Sequence, residues 1–158
     1  MVTWEQFCAE VPELAALVRA RLEAHKHLTM ATVRADGAPR ISGTEVELRG
    51  GQLYLGGMPG NRRFADLRRD PRVAIHSGSD DPQAWNGDAK VSGQAIELTD
   101  PAALEEFRGD VGQVPPGPFE LFRVDLAEAS VVQLSPERNH LVIDVWRHGE
   151  GVRRVIRR

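Results

Sequence analysis

Near its start the chain places apolar residues at helical spacing. Thr3 and Gln6 stand three apart, as in a capping box, and open a short helix. Pro12 suits the first turn of a second helix, in which Leu14, Leu17, Val18 and Leu22 form one stripe and Arg19, Arg21 and Glu23 fall outside it. The spacing predicts two helices within residues 3–25, the second ending near His25 and lying over a sheet. From Leu28 the period changes to two. LTMATVR, RISGTEVEL and QLYLGG read as strands joined at Asp36-Gly37 and Gly50-Gly51, which predicts a β-meander.

Gly60-Asn61 opens a short helix with Phe64 and Leu67 inward, and Asp70-Pro71 stops it before the strand VAIHS. SDDPQAWNGD reads as a loop. AKVSGQAIEL reads as a longer strand whose alternation slips between Ala95 and Ile96, the signature of a bulge, and bulges bend sheets into barrels. A helix is expected from Asp100-Pro101 through Phe107, then the loop GQVPPGP and the strand FELFRVDL, with Phe122, Val124 and Leu126 on one face. HLVIDVW and VRRVIRR complete the pattern. Six or more strands with only short helices favour a closed or partly closed antiparallel barrel, because closure removes exposed sheet edges.

A chain of 158 residues is the size of one domain, so residues 1–158 are expected to fold as a single unit. Apolar residues make up 41% and charged residues 27%, which suits a globular chain rather than a disordered one. The net charge of -3 argues against a nucleic-acid partner and leaves attention on local clusters of arginine. No apolar run approaches the roughly 18 residues of a membrane span, and Glu5 and Glu10 replace the basic start of a signal peptide, so no membrane partner and a cytoplasmic location are expected. Cys8 is the single cysteine and reads as a small packing residue.

The segment PGNRRFADLRRD carries the most chemistry. With Asn61 as cap, Arg62 and Arg63 occupy the first helical turn, where the dipole disfavours cations by roughly 0.3 to 1 kcal/mol each. An anion would compensate, and free N–H groups with two guanidinium forks suit a phosphate. Solvated surface arginines are the other reading. Arg68 and Arg69 lie at the carboxyl end of the same helix, where positive charge is expected. In the second strand, taking Val46 and Leu48 as core-facing puts Arg40, Ser42 and Thr44 on the same side, which suggests a ligand-facing stretch; a second bulge turning them to water is the alternative. Arg40 would then offer another fork to the phosphate, and Ser42 and Gly43 would let a flat ring lie near the backbone. In the penultimate strand Leu141, Ile143 and Val145 form one face, which leaves Trp146 pointing away from the core with Val142 and Asp144. An interface or ring-stacking role and a simple cover for the barrel end both fit that placement.

Other candidates are weaker. His25 and His27 have no evident third ligand, so no metal is expected. His76 reads as a satisfied barrel histidine and Asp80-Asp81 as a solvated turn pair. No Gly-x-Gly-x-x-Gly, Walker loop or nucleophile elbow is present, and no residue is assigned as catalytic acid, base or nucleophile.

From about Ala24 to Arg157, the order ATVRADGAPRISGTEVEL, QLYLGG, NRRFADLRRDPRVAI and AKVSGQAIEL resembles the flavin-binding split barrel of the pyridoxamine-phosphate-oxidase relatives. The resemblance implies an antiparallel split β-barrel of Greek-key type flanked by helices. It implies a cofactor phosphate at Arg40, Asn61, Arg62 and Arg63, room beside Gly57, and a ring along Ile41, Ser42, Gly43 and Thr44. It also implies a homodimer whose partner subunit helps close the site, with Trp146 and Arg157 approaching the flavin. Where the oxidase has an Arg-Leu-His-Asp-Arg run that grips pyridoxal phosphate, this chain reads Arg153-Arg154-Val155-Ile156-Arg157, so vitamin B6 oxidation is not implied. The expected activity is hydride transfer between a bound FMN and a small organic substrate. Use of the deazaflavin coenzyme F420 is an alternative within that class, and a non-enzymatic flavin or tetrapyrrole carrier is the alternative outside it.

Overall fold

The computed structural model describes residues 1–112, 114 and 116–158. Helix α1 (Trp4–Glu10) begins with the expected capping box: Gln6 N–H donates to Thr3 Oγ1 at 3.3 Å, and Thr3 N–H to Gln6 Oε1 at 2.9 Å. Helix α2 (Pro12–Glu23) buries Leu14, Ala15, Val18 and Leu22. Leu17 is 37% exposed, so the buried stripe runs through Ala15 in its place.

The strands are β1 (Leu28–Val33), β2 (Pro39–Thr44), β3 (Glu47–Arg49), β4 (Gln52–Gly57), β5 (Arg72–His76), β6 (Asp88–Glu97), β7 (Glu120–Leu134), β8 (Leu141–Arg147) and β9 (Gly151–Arg157). Helix α3 (Arg62–Arg69) follows β4, and α4 (Pro101–Val111) follows β6. All pairings between these strands are antiparallel, in the order β2-β1-β5-β6-β7-β4-β3, with β8 added to β7 and β9 to β8. The two ends of that path, β2 and β3, are joined only through Glu45 and Val46. Thr44 and Glu47 are three residues apart and so separated by no more than about 11 Å. The sheet must therefore curl until its edges come together, which makes it a barrel.

Four expectations are corrected. RISGTEVEL is two strands that part at Glu45–Val46 and pair on opposite edges, so the first strands are two hairpins and not a meander. The bulge lies between Ser92 and Gly93, where β7 holds the additional residue Ala127; Ala95 is buried and Ile96 exposed, as plain alternation requires. Strand β7 continues well beyond FELFRVDL and pairs successively with β4, β6 and β8. Helix α4 runs to Val111 and ends at Gly112 with φ +63°; of the predicted GQVPPGP loop, Gln113 and Pro115 lie outside the described residues.

The expectation that Trp146 points away from the core is also corrected. Its side chain is fully buried, its ring lies 4.8 Å from that of Phe7, and its Nε1–H donates to Glu10 Oε1 at 2.9 Å. Two-residue periodicity correctly grouped Trp146 with Asp144, but it does not say which side of a strand will be covered. Helix α1 covers this side, and Arg154 satisfies buried Asp144 at 2.7 and 2.8 Å. Among the described residues no helix is long and apolar enough to cross a membrane.

Candidate functional site

Helix α3 is anchored by Phe64 and Leu67, both buried, and Phe64 stacks on Phe122 of β7 with centroids 4.9 Å apart. This fixes the helix start against the end of β4. Asn61 sits at the cap position with an extended backbone, yet its side chain does not cap the helix. Its Nδ2 donates instead to the Met58 carbonyl at 2.8 Å. The first turn therefore has no side-chain cap and no acid, only Arg62 and Arg63. That arrangement concentrates positive potential at one spot.

Arg62 is exposed and Arg63 half-buried. The Arg63 guanidinium lies over the Phe64 ring, 4.8 Å from its centroid, and Nη1 donates to the Gly43 carbonyl on β2 at 3.0 Å. Its Nε is buried and has no hydrogen-bond partner among the described residues, and no carboxylate pairs with the group. Burial pushes its pKa down from the ordinary arginine value. At Gly57 a side chain would intrude on this group: a Cβ there would stand 3.1 Å from Phe64 Cε2 and 3.3 Å from both Arg63 Nη2 and Asn61 Nδ2. Glycine keeps that cradle open. The cradle is flanked by two exposed apolar side chains, Ile41 (76% exposed) and Met58 (71%).

Arg40, Ser42 and Thr44 share the inward side of β2, while Ile41 and Gly43 face outward. Arg40, however, has an internal partner that the sequence reading missed. Its Nε donates to Asp66 Oδ2 at 2.6 Å. Asp66 lies on α3 with its side chain only 4% exposed, and it also accepts from Thr32 Oγ1 at 2.8 Å and Arg69 Nη2 at 3.2 Å. The Arg40 contact, with help from Thr32 and Arg69, holds the Asp66 carboxyl at about 2, below the usual carboxylate range. A single acid among four arginines in RRFADLRR was the available signal, and its buried position comes from tertiary packing.

The structure thus brings Gly43, Gly57, Asn61 and Arg63 into one cradle, leaves Arg62 exposed at the first position of the adjoining helix, and ties Arg40 to the helix through Asp66. It does not bring Trp146 there, since that ring is enclosed beneath α1. Arg157 stands exposed on β9, which pairs only with β8. Arg68 at the far end of α3 pairs with Glu97 and Glu120, the structural role expected of it. Asp80, still partly exposed, pairs with His25 at 2.9 Å, a contact between distant segments, and Asp81 is exposed.

A barrel closed by a two-residue link, with an uncapped basic helix start against the end of β4, is a split barrel. The family model for pyridoxamine 5'-phosphate oxidase (PNPOx_N) matches residues 14–133, and the chain belongs to that family. Among solved structures, it is similar to a pyridoxamine 5'-phosphate oxidase-related, FMN-binding protein from Nostoc punctiforme PCC 73102, with a TM-score of 0.62 at 14% identity over 90% of this chain and 94% of that one. PhzG from Burkholderia lata 383, solved with tetrahydrophenazine-1-carboxylic acid, aligns with a TM-score of 0.59 at 17% identity over 97% of this chain and 92% of that one. Campylobacter jejuni ChuZ aligns with a TM-score of 0.69 at 14% identity, over 91% of this chain and 63% of that one. No curated protein matches the sequence.

Proposed function

We propose that the chain binds FMN with its phosphate at the start of α3 and serves as an oxidoreductase acting on a small organic substrate. The observation that carries this reading is Arg63: a half-buried guanidinium with no carboxylate partner and a buried Nε left without an acceptor among the described residues. Leaving such a group unpaired costs on the order of 1–3 kcal/mol, which an anion would recover. The residues present fit a phosphate. Arg62, Arg63 and Asn61 supply side-chain donors, the uncapped first turn supplies backbone N–H groups, and Gly57 leaves room.

The flavin ring would lie along Ile41, Ser42, Gly43 and Thr44, with Arg40 held in place by Asp66. Bound FMN supplies the hydride-accepting chemistry, and the chain's own residues bind and orient it. Asp66 is held ionised at about 2, so it is no proton donor near neutral pH, and the chain brings no assigned acid or base to the cradle. Family membership and the FMN-binding relative from Nostoc support flavin as the cofactor class. Exposed Ile41 and Met58 beside the cradle favour a second copy of the chain as the partner that covers it, giving a cytoplasmic homodimer in which Arg157 of one copy can approach the other's site.

The test is a titration of the purified chain with FMN, riboflavin and the deazaflavin coenzyme, followed by flavin fluorescence. FMN should bind at least about 30-fold more tightly than riboflavin, since only FMN carries the phosphate. Equal affinities would overturn the phosphate assignment, and tighter binding of the deazaflavin coenzyme would replace FMN as cofactor. Substrate-dependent bleaching of the bound flavin separates an enzyme from a carrier.

A further inference from the structure

Strand β9 pairs with β8 alone, so its other edge has no strand beside it among the described residues. Such an edge leaves backbone N–H and C=O groups open to another strand, and proteins commonly blunt it with charge, proline or a bulge. Strand β9 has no proline, and its register with β8 runs unbroken from Gly151 to Arg157. Its charges are all of one sign, at Arg153, Arg154 and Arg157. Like charges oppose pairing with a second copy of the same strand, but they favour a strand of opposite charge.

The two sides of β9 differ. Val152, Arg154 and Ile156 pair with Trp146, Asp144 and Val142 and so share one side. Trp146 and Asp144 are buried on that side, whereas Val152 and Ile156 are exposed. Beside Val152 runs a groove of about 430 Å³ whose other wall is Val11, Pro12, Leu14 and the exposed Leu17. The charged groups lining it are Glu13 and the Asp144–Arg154 pair, so this side accepts aliphatic side chains and repels acids. Arg153 and Arg157 point from the opposite side, in register with Val145 and Leu141. Both are exposed and have no ionic partner among the described residues; Glu128 of β7 and Glu150 of the β8–β9 turn lie against Arg147.

We infer that the free edge of β9 docks an extended segment of another protein in which acidic and aliphatic residues alternate. The segment adds as a further strand. Its aliphatic side chains enter the groove beside Val152, Ile156 and Leu17, its carboxylates lie against Arg153 and Arg157, and its backbone bonds to the open edge. Arg157 is also the residue directed towards a second copy's flavin site, so Arg153 carries the test of the acid contact.

The full chain is titrated with a fluorescein-labelled heptapeptide, Glu-Val-Glu-Ile-Glu-Val-Glu, matched to the seven residues of β9, and anisotropy is followed. The comparisons are the same peptide with lysine for glutamate, the block sequence Glu-Glu-Glu-Glu-Val-Val-Ile of identical composition, and a short single-stranded DNA. The alternating acidic peptide should bind at least about tenfold more tightly than the lysine peptide and about fivefold more tightly than the block. Arg153→Glu should weaken it about tenfold and Leu17→Asn about threefold, in variants shown to be folded by circular dichroism. The backbone amides of β9 should gain hydrogen-exchange protection when the peptide is added, and saturating FMN should leave its affinity within about threefold. Equal binding of the block peptide or of the DNA would reduce the edge to a basic patch and overturn the inference. So would unchanged affinity in Arg153→Glu, displacement of the peptide by FMN, or β9 protection that rises with protein concentration alone, which would give the edge to a second copy.

Discussion

Arg40 Nε and Asp66 Oδ2 lie 2.6 Å apart and join the edge strand β2 to helix α3 through a largely buried ion pair. The pair holds together the two elements between which the cradle opens. Breaking a buried pair from one side leaves an uncompensated charge, and that is where its mutational cost arises.

Asp66→Asn is expected to lower the unfolding free energy by about 3 kcal/mol, because the amide removes the charge that Arg40 and Arg69 pair with and puts an NH2 donor in place of one of the two oxygens that accept from Arg40, Thr32 and Arg69. Urea denaturation checks this. Adding Arg40→Ala to Asp66→Asn should cost less than the sum of the single changes, since each alone strands the other.

The same carboxylate sets an acid limit. In the folded state it is held at about 2, against an ordinary value of 3.8. Its stabilising contribution is complete above the unfolded value and fades as pH falls from about 4 towards 2. Thermal melts across that window should show the wild type losing stability more steeply than Asp66→Asn; parallel slopes would contradict the assignment.

Trp146 is a core residue, and its substitutions should read as such. Trp146→Ala should cost about 3–5 kcal/mol in stability, from the cavity left where the buried indole packs against Phe7. Trp146→Phe should fold with a smaller loss and bind FMN within about twofold of wild type, since binding at the cradle does not involve the indole. A large affinity loss in that variant would return Trp146 to the site.

Gly93→Ala tests the bulge. A Cβ there would stand 1.8 Å from the Asp125 carbonyl oxygen, a contact only backbone movement can relieve. Because β6 and β7 share their longest pairing around this point, the variant should lose more than about 3 kcal/mol or fail to fold, as read by soluble yield and thermal melting.

Most elements of this fold were legible in the sequence because their signals are local. The Thr3–Gln6 capping box, Pro12, the Gly50-Gly51 hairpin and the Asp70-Pro71 stop all act within a few residues of themselves. What could not be read depends on distant partners. Strand β7 continues past Leu126 because β6 and β8 lie ready to pair with it, and the inward side of β8 is decided by α1, well over a hundred residues away. The cradle was legible in part. The basic helix start is a local feature, whereas the claim of Asp66 on Arg40 exists only once β2 and α3 are packed together. The ring cluster of Tyr54, Phe107 and Phe119 was not legible at all, since Phe107 of α4 meets Tyr54 of β4 and Phe119 only in the folded chain.

The most direct measurement compares FMN affinity in wild type and Arg63→Ala, both shown to be folded by circular dichroism. Removing the half-buried Arg63 guanidinium should weaken FMN by about 10- to 100-fold and leave riboflavin affinity unchanged. Equal FMN affinity in the two proteins would contradict a phosphate at the start of α3.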